Sequence, residues 1–131
     1  MPEAKRGWHS MGHNPTSGSV DNKKFADRWM MGQFASLIER LKAVPEPGGT
    51  MLDNTIVLWA NHMEEGHTHN SQKTPWMLAG NVNKYFKTGQ CALSTGRPVN
   101  GVLWHLCHAL GVPVETFGTR AFGRAMEGIA A

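Results

Sequence analysis

The sequence lacks long apolar runs and runs of basic residues. No window approaches the roughly 18 consecutive apolar residues that a membrane-spanning helix needs, and residues 1–20 lack the apolar core of an export signal. The 13 Lys and Arg residues stand singly or in pairs, so the basic patch of a nucleic-acid-binding protein is missing. We therefore expect no membrane span and no export signal in this sequence, and neither membrane nor nucleic acid as a partner.

Cysteine is also scarce. Cys91 and Cys107 lack the Cys-x-x-Cys spacing of a redox or metal motif, so they are expected to be small buried hydrophobic residues, and the redox compartment stays open. The remaining composition, with 40% hydrophobic and 18% charged residues, is that of a globular protein. A chain of 131 residues fits one domain, and we expect residues 1–131 to form a single one.

Two segments have the three- and four-residue apolar spacing of amphipathic helices. The first covers residues 21–44 and ends at a group of Pro and Gly residues; its apolar positions are Phe25, Trp29, Met30, Phe34, Leu37, Ile38 and Leu41. The second covers residues 99–111, and its apolar face comprises Val102, Leu103, Leu106, Cys107 and Leu110. His105 and His108 lie off that face, so we expect them in solvated positions or at its seam. Residues 1–20, rich in Gly, Ser, Pro and Asn, are expected to form a loop.

Strands are expected between the helices, in residues 50–93. Thr55–Ala60 is a continuous apolar run with β-branched residues near its start, as in a strand that is covered on both faces. Trp76–Ala79 is a second run, and Gln90–Leu93 is a weaker third candidate. This order of elements predicts an α/β fold with a small, mostly parallel sheet flanked by helices.

Five of the seven histidines lie in two short polar segments, which hold His9 with His13 and His62 with His67 and His69. The second segment follows the Thr55–Ala60 strand, at the position where open α/β sheets bind ligands. Imidazole is the commonest metal ligand in proteins, and three or more nitrogen ligands favour zinc or a similar divalent metal. If the two segments converge, the five histidines predict such a metal site, with Asn61, Glu64 and Glu65 as alternative ligands or as groups that support the ligands.

Each part of this site also has an interpretation without a metal. Either group of histidines alone is more often a hydrogen-bonded loop feature than a set of ligands, and Glu64 and Glu65 are typical of solvated loop carboxylates. His9 and His13 are four residues apart, which would align them on one helix face, but the glycines and the proline around them argue against a regular helix. The metal site therefore depends on the two segments meeting in space.

Three blocks of sequence carry a family resemblance. His9-Ser10-Met11-Gly12-His13-Asn14 is similar to a His-x-x-Ser-His-His motif, with Gly12 in place of the serine and Asn14 in place of the final histidine. The second block is Phe34–Lys42 followed by Gly49–Trp59, and the third runs from Gly66-His67-Thr68-His69 to Phe117-Gly118. In this order the chain resembles the C-terminal portion of a bacterial family named for that motif, which belongs to the alkaline phosphatase superfamily.

The resemblance implies an α/β sandwich with a metal-centred, phosphatase-like site at the strand ends, of which this chain is the C-terminal part. Family members are longer and look exported to the periplasm or beyond, and superfamily enzymes carry their Ser or Thr nucleophile and some metal-binding aspartates before this segment. Where those enzymes have Asp-His after a core strand, this sequence has Asn61-His62, and an asparagine oxygen is a neutral, weaker ligand. The compartment of this chain itself stays open.

Three functions are consistent with these features. The leading one is an alkaline phosphatase-like segment with a histidine-lined, metal-binding pocket and no autonomous catalysis, whose partner is the N-terminal part of the fold or a second copy. The first alternative is a metal-dependent hydrolase of phosphate or sulfate esters, whose nucleophile is undetermined among the hydroxyls of Ser10, Thr68, Ser71 and Thr74. The second alternative is an interaction module that pairs through the edges of its sheet.

Overall fold

The computed structural model describes residues 7–13, 17–93, 96–119 and 124–131. Within them lie three α-helices and four short strands, which are α1 (Trp8–His13), α2 (Ser17–Lys42), β1 (Pro45–Glu46), β2 (Gly49–Thr50), β3 (Val57–Ala60), β4 (Trp76–Ala79) and α3 (Asn100–Ala109). Short 3₁₀ helices cover Met51–Asn54 and Val82–Lys84. In this described part of the chain, no helix is both long and apolar enough to cross a bilayer.

Backbone contacts group these elements into two compact units. The first unit comprises Met1–Arg40 and Leu58–Leu78, and it contains α1, most of α2, and most of β3 and β4. The second comprises Leu41–Val57 and Ala79–Ala131, and it contains β1, β2 and α3. The expectation of one domain over residues 1–131 stays a prediction.

In the first unit, α1 occupies a segment for which the sequence predicts a loop, so that prediction is wrong for Trp8–His13. The Gly7 carbonyl accepts hydrogen bonds from the Met11 amide at 3.2 Å and from the Ser10 hydroxyl at 2.8 Å, which closes the first turn. Residues 1–6 and 14–16, the remainder of the expected loop before α2, lie outside the described residues.

Packing supports α1, because a helix of six residues is too short to be stable alone. Met11 is buried, and the ring of Trp8 lies 3.4 Å from the Lys23 ammonium of α2, measured to the ring centroid. Lys23 also forms an ion pair with Asp27 one turn further along α2, at 2.7 Å. The α2 helix itself covers Ser17–Lys42, where the sequence predicts a helix over residues 21–44, so the loop prediction is also wrong for residues 17–20.

Both two-stranded sheets are antiparallel, so the predicted small, mostly parallel sheet of an alkaline phosphatase-like sandwich is wrong. After β3, residues 61–75 turn the chain back so that β4 pairs with β3 as a hairpin, and the Asn61 amide donates to the Pro75 carbonyl at 3.3 Å. A parallel neighbour would need a crossover connection, usually a helix, and residues 61–75, all of them described, contain no helix. The third expected strand, Gln90–Leu93, is not a strand.

In the second unit, polar as well as apolar side chains hold α3. Its most buried positions are Gly101, Val102, His105 and Ala109, whereas Leu110, expected on the buried face, is 61% exposed. His105 is buried because both of its ring nitrogens have partners: the Tyr85 hydroxyl and the Met126 carbonyl, each at 2.8 Å. His105 therefore belongs to the buried face of α3, and the expectation of a solvated or seam position is wrong for this residue.

Further side chains of α3 hold the residues that follow it. The Trp104 indole donates to the Glu115 carbonyl at 3.2 Å, and its ring stacks on His108 with 3.6 Å between centroids. Cys107 is half-buried on the same helix, whereas Cys91 is exposed, and both are free thiols. The expectation that Cys91 is buried is therefore wrong.

Candidate metal centre

Two histidines of the first unit share one face of α1. Because His9 and His13 are four residues apart on a helix, their side chains lie one above the other, and their Nε2 atoms are 3.0 Å apart. This distance is that of a hydrogen bond in which one neutral imidazole donates to the other. The helical geometry thus produces the alignment that the glycines and the proline around α1 argued against.

The loop between β3 and β4 brings a third histidine to this pair. The Glu64 and Glu65 amides both donate to the Asn70 carbonyl, at 2.7 and 3.3 Å, which closes a tight turn around residues 65–70. Within it, His69 has a positive φ of 55°, and its ring centroid lies 4.8 Å from that of His13. The two histidine-bearing segments therefore converge at His13.

A backbone contact between two glycines makes this convergence possible. A Cβ on Gly66 would lie 3.0 Å from the Cα of Gly12 and 3.2 Å from its carbonyl oxygen, closer than side chains pack against a backbone. The loop and α1 therefore approach each other at a point where both lack a side chain. The sequence does not predict this role, although a glycine directly precedes a histidine in both segments, as Gly12-His13 and Gly66-His67.

We call His9, His13, His67 and His69 the histidine cluster. The pKa of His13 lies below its usual value of 6.5, first because its ring is desolvated and then because His9, His69 and His67 would add like charges. His13 is therefore neutral at pH 7 and keeps a lone pair on one ring nitrogen. Neutral imidazole is the form that binds metal ions.

One carboxylate is attached to the histidine cluster. Glu65 Oε1 lies 3.5 Å from His67 Nδ1, and Glu65 Oε2 accepts a hydrogen bond from the Thr68 hydroxyl at 2.7 Å. Glu65, His67 and Thr68 all belong to the turn of residues 65–70. This carboxylate can offset part of the charge of a cation bound nearby.

The other candidate residues are not brought to the cluster. Asn61 Oδ1 accepts the Met63 amide at 3.3 Å, within the loop. His62 and Glu64 are exposed, and among the described residues neither side chain contacts the cluster. Of the eight site candidates from sequence, ring contacts join His9, His13 and His69, and Glu65 lies beside His67 in the adjoining turn.

The rings do not stand in the positions of a bound ion's ligands. Within residues 7–13, 17–93, 96–119 and 124–131, no three or more His, Cys, Asp or Glu side chains are arranged to hold a metal ion. Two tetrahedral zinc ligands lie roughly 3.3–3.4 Å apart, given Zn–N bonds of about 2.0–2.1 Å. The 3.0 Å between the Nε2 atoms of His9 and His13 is shorter than this by a few tenths of an ångström. One of the two Nε2 atoms also carries the proton of their hydrogen bond, so a chelating pair needs a wider separation and that proton moved to Nδ1.

Hydroxyls next to the histidines are engaged elsewhere. Ser10 donates to the Gly7 carbonyl at 2.8 Å, and Thr68 donates to Glu65. A serine or threonine nucleophile needs a base or a metal at its oxygen, and these two hydroxyls donate to other groups. The site therefore offers nitrogen ligands and lacks a prepared nucleophile at these two positions.

A polar cleft of about 620 Å³ lies within the second unit, lined by Gly48, Asp53, Asn54, Asn81, Asn83 and Lys84. Its polar side chains hold the fold. Asp53 accepts the Thr50 amide and hydroxyl, both at 2.8 Å, and these hydrogen bonds lower the pKa of Asp53. Asn81 Oδ1 accepts the Phe86 amide at 2.7 Å, and Asn83 donates to a carbonyl at the end of α3. These contacts engage the side chains of Asp53, Asn81 and Asn83 within the fold.

Comparison of the sequence with protein-family models and with curated proteins, and of the structure with solved structures, gives no match. The histidine cluster therefore has to be interpreted from its own geometry.

Proposed function

We propose that the chain binds one divalent cation of the zinc type through the histidine cluster, as a binding segment without hydrolytic activity of its own. The observation that carries the proposal is the convergence at His13. Its Nε2 lies 3.0 Å from that of His9, and its ring centroid lies 4.8 Å from that of His69. Imidazoles from α1 and from the loop 61–75 are thereby gathered at one exposed point.

The chemistry of the donors selects the class of cation. Imidazole nitrogen suits zinc, copper and nickel, whereas magnesium and calcium prefer oxygen ligands. Four imidazoles and one carboxylate, that of Glu65, match the first group. Because the rings are exposed, an ion reaches them without opening the fold. For both Nε2 atoms of His9 and His13 to bind it, the histidine that donates their hydrogen bond has to carry its ring proton on Nδ1 instead.

The proposal is tested by measuring zinc content by elemental analysis and zinc affinity by titration calorimetry on the purified chain. We expect one zinc per chain. We expect this binding to be lost in the His13→Ala variant and in the His67→Ala, His69→Ala double variant, because each removes ligands from the point of convergence. His62→Ala is the matched control, since His62 lies in the same loop but outside the cluster, and it is expected to bind zinc as the unaltered chain does.

Two results would overturn the proposal. One is a chain that binds no zinc at micromolar protein concentration. The other is binding that is lost to the same degree in His62→Ala as in His13→Ala, because the ion would then bind loop histidines nonspecifically.

The family and the partners of this chain stay predictions. The resemblance to the His-x-x-Ser-His-His family and the interaction-module alternative are proposals that concern parts of a protein beyond this cluster. The N-terminal part of the fold, or a second copy of this chain, as partner also stays a prediction. Zinc binding by the cluster is compatible with each of them.

A further inference from the structure

We propose that the polar cleft of the second unit binds a small zwitterion, namely an α-amino acid whose own side chain is uncharged. Oxygen atoms of the cleft accept from its ammonium group, and nitrogen atoms of the cleft donate to its carboxylate. The cleft volume of about 620 Å³ lies within the range of roughly 300–1,000 Å³ that is common for small-molecule sites. This inference is independent of the proposed function, because the histidine cluster belongs to the first unit.

Two 3₁₀ helices line the cleft and bring opposite charges to it. Met51–Asn54 carries the carboxylate of Asp53, and Val82–Lys84 carries the ammonium of Lys84. Hydrogen bonds from Thr50 lower the pKa of Asp53, so this carboxyl is charged at pH 7. With the described residues, the Lys84 side chain makes no ion pair or hydrogen bond. Opposite charges that share a cleft without pairing match a ligand that carries both charges.

Three side chains of the cleft are each held by one polar atom and keep an oxygen free. Asp53 Oδ2 accepts the Thr50 amide and hydroxyl, both at 2.8 Å. Asn54 Nδ2 donates to Glu46 at 2.7 Å, and Asn83 Nδ2 donates to a carbonyl at the end of α3 at 2.9 Å. No described residue donates to the remaining atom, which is Oδ1 in all three. An ammonium group has three N–H donors, so one α-amino group matches these three oxygens.

Two nitrogen atoms of the cleft provide the donors. Asn81 Oδ1 accepts the Phe86 amide at 2.7 Å, which fixes the orientation of this side-chain amide and leaves Nδ2 as a donor. The exposed Lys84 Nζ is the second donor, and two donors match the two oxygens of a carboxylate. Since the aspartate and the asparagines of the cleft are already held by the fold, little conformational entropy is lost when a ligand binds.

The backbone of the second 3₁₀ helix has the strain that is common at ligand sites. Asn83 and Lys84 have positive φ values of 55° and 54°, a region that asparagine tolerates and other residues rarely adopt. Residues in such sparsely populated regions cluster at functional sites. The strained lysine is thus also the residue whose ammonium group is free.

A sugar is the main competing ligand. Its hydroxyls donate and accept, but they bring no counter-charge to Asp53 or Lys84. A ligand with a single charge leaves one of these two groups without a counter-charge. The zwitterion is therefore the class of small molecule that matches the whole lining.

The test is a titration of the isotope-labelled full chain with matched probes, followed by amide NMR. L-alanine carries both charges, propionate lacks the ammonium group, and ethylamine lacks the carboxylate. With alanine we expect saturable shifts at the amides of residues 53–54 and 81–84. For either single-charge probe we expect an affinity about 10-fold lower. Glucose is expected to cause no saturable shift.

Two substitutions assign the charges. Lys84→Met is expected to weaken alanine binding about 10-fold. Lys87→Met is its control, since Lys87 is an exposed lysine of the same segment but outside the cleft lining, and it is expected to bind alanine as the unaltered chain does. Asp53→Asn keeps an oxygen for Thr50 and removes the negative charge, with a similar expected loss. The amide spectrum of each variant shows whether the fold is retained, and Lys84→Met decides the question if Asp53→Asn alters it.

Four outcomes contradict the inference. The first is that alanine causes no saturable shift at these amides. The second is that propionate or ethylamine binds as tightly as alanine, which indicates a site for a single charge. The third is that glucose binds, which indicates a polyol site. The fourth is an equal loss of alanine binding in Lys84→Met and in Lys87→Met.

Discussion

At the scale of single residues, the glycines matter as much as the histidines they precede. The Gly12–Gly66 contact sets the separation between α1 and the loop 61–75, and therefore between His13 and His69. The ring centroids of these two histidines are 4.8 Å apart. If the two backbones moved apart by the thickness of a methyl group, the rings would separate as well.

Gly66→Ala is therefore expected to weaken both the fold and zinc binding. The new Cβ would meet three backbone atoms of Gly12 at 3.0–3.3 Å, and a backbone cannot rotate away as a side chain does. Overpacking of this kind costs about 1–3 kcal/mol of stability. The measurements are urea unfolding and zinc calorimetry on the same preparation.

Gly12→Ala is the control at the partner position. Its Cβ would lie 3.6 Å from the Cα of Gly66, an ordinary contact, and alanine in a helix is favoured over glycine by about 0.5–1 kcal/mol. We expect unchanged or slightly higher stability and unchanged zinc affinity. Equal losses in both variants would show that the close approach at Gly66 is not what positions the histidines.

The candidate site residues could be predicted from the sequence only in part. Clustering of histidines within eight or fewer residues is visible in the sequence, and three of the five histidine candidates, His9, His13 and His69, make ring contacts. The sequence does not distinguish His62 from the other histidines. Its position outside the histidine cluster depends on where the loop turns. The Asn70 carbonyl closes that turn, and a backbone group has no sequence signature.

At the scale of elements, short helices held by packing are the ones that a sequence pattern misses. α1 has six residues, fewer than two helical turns, so apolar periodicity cannot be detected in it. Its stability comes from the burial of Met11 and from the Lys23–Trp8 contact, which are tertiary. The long α2 and the apolar α3 show the opposite case, since each repeats its pattern over several turns.

The buried face of α3 was mispredicted because a histidine can be buried when both nitrogens are bonded. His105 is 3% exposed and links α3 to Tyr85 and to the Met126 backbone. Hydropathy alone places leucine on the buried face in preference to histidine. The cost of burying a polar side chain is offset when all its hydrogen-bonding groups have partners.

His105 is expected to make the fold sensitive to acid. Desolvation holds the pKa of His105 below 6.5 in the folded chain. The hydrogen bond to the Met126 backbone raises this pKa, and the nearby His108 lowers it further. The unfolded chain therefore takes up the proton first. Stability is fully present above about pH 6.5 and is lost as the pH falls from there through the folded-state pKa. Urea unfolding at pH 7.5 and pH 5 measures the loss.

A variant without this titration tests the assignment. His105→Gln keeps a donor and an acceptor and has no proton to gain, so the difference in unfolding free energy between pH 7.5 and pH 5 is expected to shrink. The exposed His62→Gln is the control and is expected to leave the difference unchanged. An undiminished difference in His105→Gln would place the acid sensitivity at other groups.

At the scale of the whole molecule, the positions of β3 and β4 could be predicted but their pairing could not, and β1 and β2 were not predicted. Trp76–Ala79 is a strand as expected, and β3 lies within the expected Thr55–Ala60. A continuous apolar run is typical of buried parallel strands, but the same run also suits a short hairpin. The direction of pairing is decided by residues 61–75, whose closure depends on backbone hydrogen bonds such as that from Asn61 to Pro75.

Convergence of the two histidine segments is likewise a property of the folded chain. His13 and His69 are far apart in sequence, and no local pattern encodes their contact. Only the packing of α1 on the loop brings them together, through two residues without side chains. The presence of nitrogen ligands could thus be inferred from the sequence, whereas the site they form could not.

The zinc-loaded chain is expected to leave phosphate and sulfate esters unhydrolysed. Metal-assisted transfer needs a nucleophile beside the ion as well as ligands, and the Ser10 and Thr68 hydroxyls already donate to the Gly7 carbonyl and to Glu65. The check is release of p-nitrophenol from its phosphate and sulfate esters under saturating zinc, compared with zinc in buffer and with a His13→Ala, His69→Ala variant. Equal rates are expected. Turnover that scales with the chain and disappears in the variant would contradict this prediction, and Thr68→Val would then test the Thr68 hydroxyl as the nucleophile.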